Sequence, residues 1–174
     1  MARARAWVML VYRLPREPST PRIALWRRLR QLGAVRLVDG VAMLPQTART
    51  EEQLRWLAAG IVGAGGEASV WLSRATTPAP TALLLERMGE ERAAEYDALV
   101  AEAEAASGTT GAARARASSR LRGELERVRQ RDFVAPPARE RAVQAIEALA
   151  AERPGARPAP AGQPGPDTVV AEAT

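Results

Sequence analysis

An α+β fold is predicted from three observations. Within residues 6–75, short apolar runs alternate with stretches that repeat leucine at helical spacing. Asp39-Gly40, set between Val38 and Val41, signals a hairpin joining two of those runs. Beyond residue 80 the pattern is purely helical, until proline, glycine and alanine take over from Pro154.

Residues 6–14 (AWVMLVYRL) are almost continuously apolar. That pattern predicts a strand buried on both faces, and hence central in its sheet. Ser19-Thr20-Pro21 opens a helix, with a hydroxyl N-cap and then proline at the first helical position. Leu25, Leu29 and Leu32 face inward, Trp26 lies on the flank, and Gly33 suits the C-cap. Residues 34–44 (AVRLVDGVAML) follow as the hairpin. A primed turn is expected, with positive φ at both Asp39 and Gly40. Pro45 ends the second arm. Thr50-Glu51-Glu52-Gln53 fits a capping box. The helix it opens places Leu54, Leu57, Ala58 and Ile61 on one face and leaves through Gly63-Ala64-Gly65-Gly66. Residues 67–74 (EASVWLSR) are the last strand.

The order over residues 6–75 is therefore βαββαβ, the ferredoxin-like plan. Two right-handed crossovers put both helices on one sheet face, with the first and third strands central and the second at an edge. The other face needs a cover, from a second subunit or from the C-terminal helices. Residues 76–80 read as a linker and 81–153 as a helical region. Its first helix, 81–106, carries Leu85, Met88, Tyr96, Leu99 and Val100, with a potential break at Gly89. A break at 107–111 precedes a helix over 112–132 with a narrow Leu121, Leu125, Val128 stripe. Pro136-Pro137 stops it, and 139–152 is a short helix facing inward with Val143, Ile146 and Leu149. Residues 154–174 read as a disordered tail.

Charge is polarised along the chain. Residues 1–50 hold ten arginines and two acids, Glu17 and Asp39; residues 51–106 hold four arginines and ten acids; the rest holds eleven and eight. The net +5 hides this asymmetry. A basic segment of this kind suits an anionic partner, most often nucleic acid. There is no histidine, cysteine or lysine, which removes disulfides, Cys/His metal sites and imidazole catalysis. Met1–Arg5 is basic, but the apolar run behind it is too short to span a bilayer and lacks a small-residue cleavage site, so a cytoplasmic, non-membrane location is expected.

No catalytic pattern stands out, and no enzyme activity, cofactor or metal is expected. Gly60, Gly63, Gly65 and Gly66 leave a helix and enter a strand, the reverse of a phosphate cradle. Small nucleases on this plan hold a metal with an aspartate at the end of the first strand; here that stretch carries Arg13, which repels a cation. The acids from Glu86 to Glu104 are interleaved with Arg87 and Arg92, as in a solvated face that pairs with arginines. The first helix is more informative. Arg27 projects opposite the leucine stripe, Arg30 lies about 60° from it, Arg28 sits on the other flank and Arg22 in the first turn. A second basic strip holds Arg114, Arg116, Arg120 and Arg122.

At residues 26–45 (WRRLRQLGAVRLVDGVAMLP) the chain resembles the N-terminal domain of ChrB, a family of chromate-resistance regulatory proteins. Trp7 with Leu14-Pro15, Trp56-Leu57, the Gly-Gly-Glu-Ala entry at 65–68, Glu95-Tyr96 and Asp132-Phe133 extend the resemblance over about residues 7–151. It implies a cytoplasmic regulator of chromate efflux that binds operator DNA as a homodimer and responds to chromate. Larger family members carry a further C-terminal domain where this chain has its Pro/Gly tail. Chromate is a small dianion that arginine can bind, but no particular pocket is visible in the sequence. The leading expectation is a DNA-binding regulator. Arg22, Arg27, Arg28 and Arg30 would neutralise phosphates, with Arg114, Arg116, Arg120 and Arg122 as a second strip. The alternative is a non-enzymatic structural or dimerisation module without specific DNA binding.

Overall fold

The apolar run that opens the chain becomes β1 (Trp7–Arg13), inside a four-stranded antiparallel sheet of order β2-β3-β1-β4. The structure is a computed structural model and describes residues 6–151; Met1–Arg5 and the expected tail, 154–174, lie outside the described residues. The remaining elements are α1 (Thr20–Leu32), β2 (Val35–Val38), β3 (Val41–Pro45), α2 (Ala48–Gly63), β4 (Glu67–Ser73), α3 (Pro78–Ser107), α4 (Gly111–Arg129) and α5 (Ala138–Ala151). The ferredoxin-like order is present. The first and third strands are central and the second is an edge, as expected; β4 is the other edge.

Side-chain alternation divides the sheet. Val8 and Leu10 share a face with their partners Leu44 and Ala42, and all four are fully buried. Leu25, Leu29, Leu54 and Ile61 of α1 and α2 join them in one core. Trp7, Val35 and Met43 point the other way and are also buried. Their cover comes from α3, which packs on β2 and brings Leu84 and Met88 into the same core. Burial on both faces holds only for the first half of β1. Val11 and Arg13 are exposed, because α3 leaves the far end of this face open.

Three local expectations need correction. Positive φ occurs at Gly40 (79°) but not at Asp39, so the hairpin turn is not of the primed type; a register irregularity between Arg36 and Val38 fits the strands to it. Second, α2 starts one turn before the expected cap. Thr47 is the N-cap: its hydroxyl accepts from the Thr50 N–H at 3.1 Å, while the Thr50 oxygen accepts from the Thr47 N–H at 2.9 Å. The Thr50 hydroxyl also donates to the Pro45 carbonyl at 2.7 Å, tying the helix to the end of β3. Third, the linker at 76–80 is mostly helix. Prolines 78 and 80 sit in the first turn of α3, where a missing N–H costs nothing. The helix runs unbroken through Gly89 for 30 residues.

The second half of α3 forms a separate core with α4 and α5, built from Tyr96, Leu99, Leu121, Ala142, Ile146 and Leu149. Its polar anchor is Asp132, whose side chain is 0% exposed. One carboxylate oxygen accepts from the Tyr96 hydroxyl at 2.9 Å; the other accepts from the Val134 and Ala135 N–H groups at 3.0 and 2.8 Å. Burial, then the hydrogen bond to Asp132 and its charge, push the Tyr96 phenol well above its usual value. The loop after α4 also touches the sheet domain. Gly33 ends α1 in the left-handed region (φ 72°), and a Cβ there would lie 2.6 Å from the Arg131 carbonyl oxygen.

Tyr96→Phe should cost about 1–3 kcal/mol in urea unfolding, because it removes the hydrogen bond to a buried Asp132 oxygen and leaves that oxygen only the Arg139 guanidinium at 3.8 Å. In the wild type, the folded state holds the Tyr96 proton more tightly than the unfolded chain does. Stability should therefore decline as pH rises above about 10, with Tyr96→Phe lacking that part of the decline. Gly33→Ala should destabilise by about 1–3 kcal/mol through strained φ and the contact with residue 131, read as a lower thermal midpoint.

Candidate functional site

Four arginines and no acid lie on α1. Burial of Leu25, Leu29 and Leu32 fixes the rotation of the helix and so decides where each guanidinium goes. Arg27 is exposed and forms no hydrogen bond or ion pair with any described residue. Arg28 is exposed and meets only the Gln31 side-chain oxygen, at 3.3 Å. Arg30 lies over the Trp26 ring, 4.9 Å from its centroid. That stacking orients the guanidinium while leaving its N–H edge open to an anion. Arg22 is employed differently. It donates to the carbonyls of Pro15 and Arg16 at 2.9 and 2.6 Å and closes the loop between β1 and α1. Of the four, three therefore face solvent with no carboxylate partner among the described residues.

Grooves flank the exposed ridge. One, of about 720 Å³, runs between α1 and the β2–β3 hairpin and is lined by Tyr12, Arg22, Arg27, Arg36 and Asp39. Burial raises the Tyr12 pKa, opposed by the Arg36 charge, so its hydroxyl stays a donor. Another, of about 670 Å³, lies between α1 and α3 and mixes Arg30, Arg36, Arg87 and Arg92 with Glu90, Glu91 and Glu95. A third, of about 290 Å³, is largely apolar and lies between α1 and α2, where Arg28 borders the exposed indole of Trp56.

The α4 strip fares less well. Arg114 donates to the Ser107 carbonyl at the end of α3, and Arg120 pairs with Glu102 at 2.8 Å. Arg116 and Arg122 have no hydrogen bond or ion pair among the described residues. The two arginine sets are not brought together. Only the end of α4 approaches α1, at Gly33 and Arg131, and Arg114 lies about 22 Å further back along the helix. Elsewhere, the acids of α3 do pair with arginines: Glu95 with Arg92 and Arg131, and Asp97 with Arg141. Arg92 is 4% exposed, and sequence reasoning placed it on a solvated face. Its spacing from Leu84, Met88 and Tyr96 was the available signal, since it continues the buried stripe. Arg36, which lines two grooves and pairs with Asp39, was also missed as a site residue. Among the described residues no group of three or more acids, histidines or cysteines could hold a metal ion, and no helix is long and apolar enough to cross a membrane.

A family model described as "Protein ChrB, N-terminal" matches residues 22–108, from α1 to the end of α3. Protein ChrB of Cupriavidus metallidurans (strain ATCC 43123 / DSM 2839 / NBRC 102507 / CH34) is 33% identical over 94 residues, which is 54% of this chain and 25% of that protein. The chain thus matches a quarter of the length of this curated relative. No solved structure matches it.

If the α1 ridge is free of structural duty, Arg27→Ala and Arg28→Ala should each change unfolding free energy by less than about 0.5 kcal/mol. Arg92→Ala should instead cost about 2–3 kcal/mol, through a lost buried stem and an underpaired Glu95.

Proposed function

The chain belongs to the ChrB N-terminal family, and from that premise we propose that it is a DNA-binding transcriptional regulator associated with chromate resistance. It acts in the cytoplasm, without catalysis, as a dimer. The observation that carries this reading is the α1 ridge. Exposed arginines such as Arg36, Arg55, Arg120, Arg127 and Arg141 each meet a carboxylate. Arg27, Arg28 and Arg30 do not, although all are exposed. Leaving three cations side by side raises their mutual repulsion, and an external polyanion relieves it. Arg27 and Arg30, three residues apart, share one face of the helix and can follow one phosphate strand. Arg116 and Arg122 are secondary contacts, reached only if the duplex extends along α4. Arg22, Arg114 and Arg120 contribute less than their sequence positions suggest, because each already has a partner inside the protein. Chromate enters this reading as the signal handled by the system; no residue of this chain is assigned to it.

Titration of a duplex from the region upstream of the gene, across a series of salt concentrations, tests the reading. With three α1 arginines from each of two copies, about six phosphates are neutralised, so log affinity should fall against log salt with a slope near −5. Arg27→Ala should bring the slope to about −3.5 and weaken all duplexes alike. A slope near zero would sink the DNA reading and leave a dimerisation module.

A further inference from the structure

The two edges of the sheet are not alike. β2 is four residues long, irregular in register, and carries the Arg36–Asp39 ion pair, all of which discourage further pairing. β4 is seven residues long, has no proline, and has no charge between Glu67 and Arg74. Its Trp71 and Leu72 are 57% and 58% exposed. Long, uncharged, apolar edges are the ones that recruit another strand.

We infer that two copies of this chain join along β4, antiparallel and in register about Val70, into one continuous eight-stranded sheet. The inference rests on the dimer named above and gives it a geometry. The backbone sets the register. The Tyr12 N–H donates to Gly40 and the Ala6 carbonyl accepts from Gln46, so even-numbered residues of β1 turn their peptide groups toward β3. Odd-numbered residues therefore turn toward β4, where Trp7, Met9, Val11 and Arg13 oppose Ser73, Trp71, Ser69 and Glu67. That leaves the N–H and C=O groups of Ala68, Val70 and Leu72 pointing outward. A two-fold axis through Val70, perpendicular to the sheet, pairs Val70 with itself and Ala68 with Leu72, so all of these groups are satisfied.

Two side-chain observations agree with that register. Trp71 comes opposite Ser69 of the second copy, and Leu72 opposite Ala68, so each large exposed side chain meets a small one. Glu67 comes opposite Ser73 of the second copy, on the same face. Antiparallel pairing also sets Glu67 at the end that carries Arg74, whereas parallel pairing would set like charges side by side.

The chain has no cysteine, so single cysteines report the register directly. Val70→Cys should cross-link to its own copy under mild oxidation, because the two Cα atoms lie about 5.5 Å apart. Leu72→Cys should not, although Leu72 is more exposed, because its copies lie about 13 Å apart. Sedimentation should show a dimer for the wild type at tens of micromolar. Leu72→Pro, which removes an outward N–H and little buried surface, should be monomeric with unchanged circular dichroism. A wild-type monomer, a Leu72→Pro dimer, or cross-linking of Leu72→Cys as readily as Val70→Cys would each overturn the inference. The DNA reading is judged separately, on the salt slope. A monomeric Leu72→Pro that still binds duplex with a shallower slope keeps both, and a dimer with no slope keeps only the edge pairing.

Discussion

One helix belongs to two cores, and the arrangement of the molecule hangs on it. The first turns of α3 put Leu84 and Met88 against the sheet; its later turns put Tyr96, Leu99 and Ala103 into the bundle with α4 and α5. Arg92 sits between the two, buried and flanked by Glu91 and Glu95 at 3.2 and 3.3 Å. Glu95 also receives Arg131 from the end of α4, at 3.0 Å. A buried guanidinium needs a carboxylate, and a carboxylate shared by two arginines holds two elements in one place. The peptide of Arg131 is in turn seated on Gly33, at the end of α1. Sheet, first helix and bundle therefore meet at one polar junction.

That junction explains the distribution of free charge. The acids of the chain are concentrated in residues 51–106, and three arginines from α4, the loop after it and α5 pair with them: Arg120 with Glu102, Arg131 with Glu95, Arg141 with Asp97. α1 lies on the far side of the sheet core with no acid of its own. Its exposed cations Arg27, Arg28 and Arg30 form no ion pair with a described carboxylate. The same docking covers one end of the second sheet face and leaves Val11, Trp71 and the β4 edge open. Free arginines thus line α1 beside the exposed Ile23, Trp26 and Trp56, whereas β4 exposes Trp71 and Leu72 with no arginine beside them before Arg74.

Much of this was legible in the sequence because it depends on short-range rules. The leucine spacing of α1 gave its rotation, and the apolar runs gave the central strands. What failed was local chemistry with more than one solution. Thr47 and Thr50 cap α2 reciprocally with hydroxyls, where a Thr–Glu box was read from Thr50 onward. Gly40 alone takes positive φ, where the dipeptide suggested both residues. Gly89 did not break α3, because Leu84 and Met88 before it and Arg92, Tyr96 and Leu99 after it are buried along one stripe and outweigh a penalty of about 1 kcal/mol. Arg92 is charged yet buried, because it continues the stripe of Leu84, Met88 and Tyr96 and carboxylates flank it.

Order along the chain is enough to settle the βαββαβ succession, the central position of β1 and β3, and the basic character of the amino-terminal half, since these follow from periodicity and composition. Which arginines stay free is a tertiary matter. Arg22 and Arg27 are of the same type on the same helix, yet one is drawn into a loop and the other faces water. The same holds for the open edge, because alternation shows that β4 has an apolar face but not that α3 stops short of it. Pairing and coverage depend on distances between residues far apart in sequence, and those exist only once the two cores have docked.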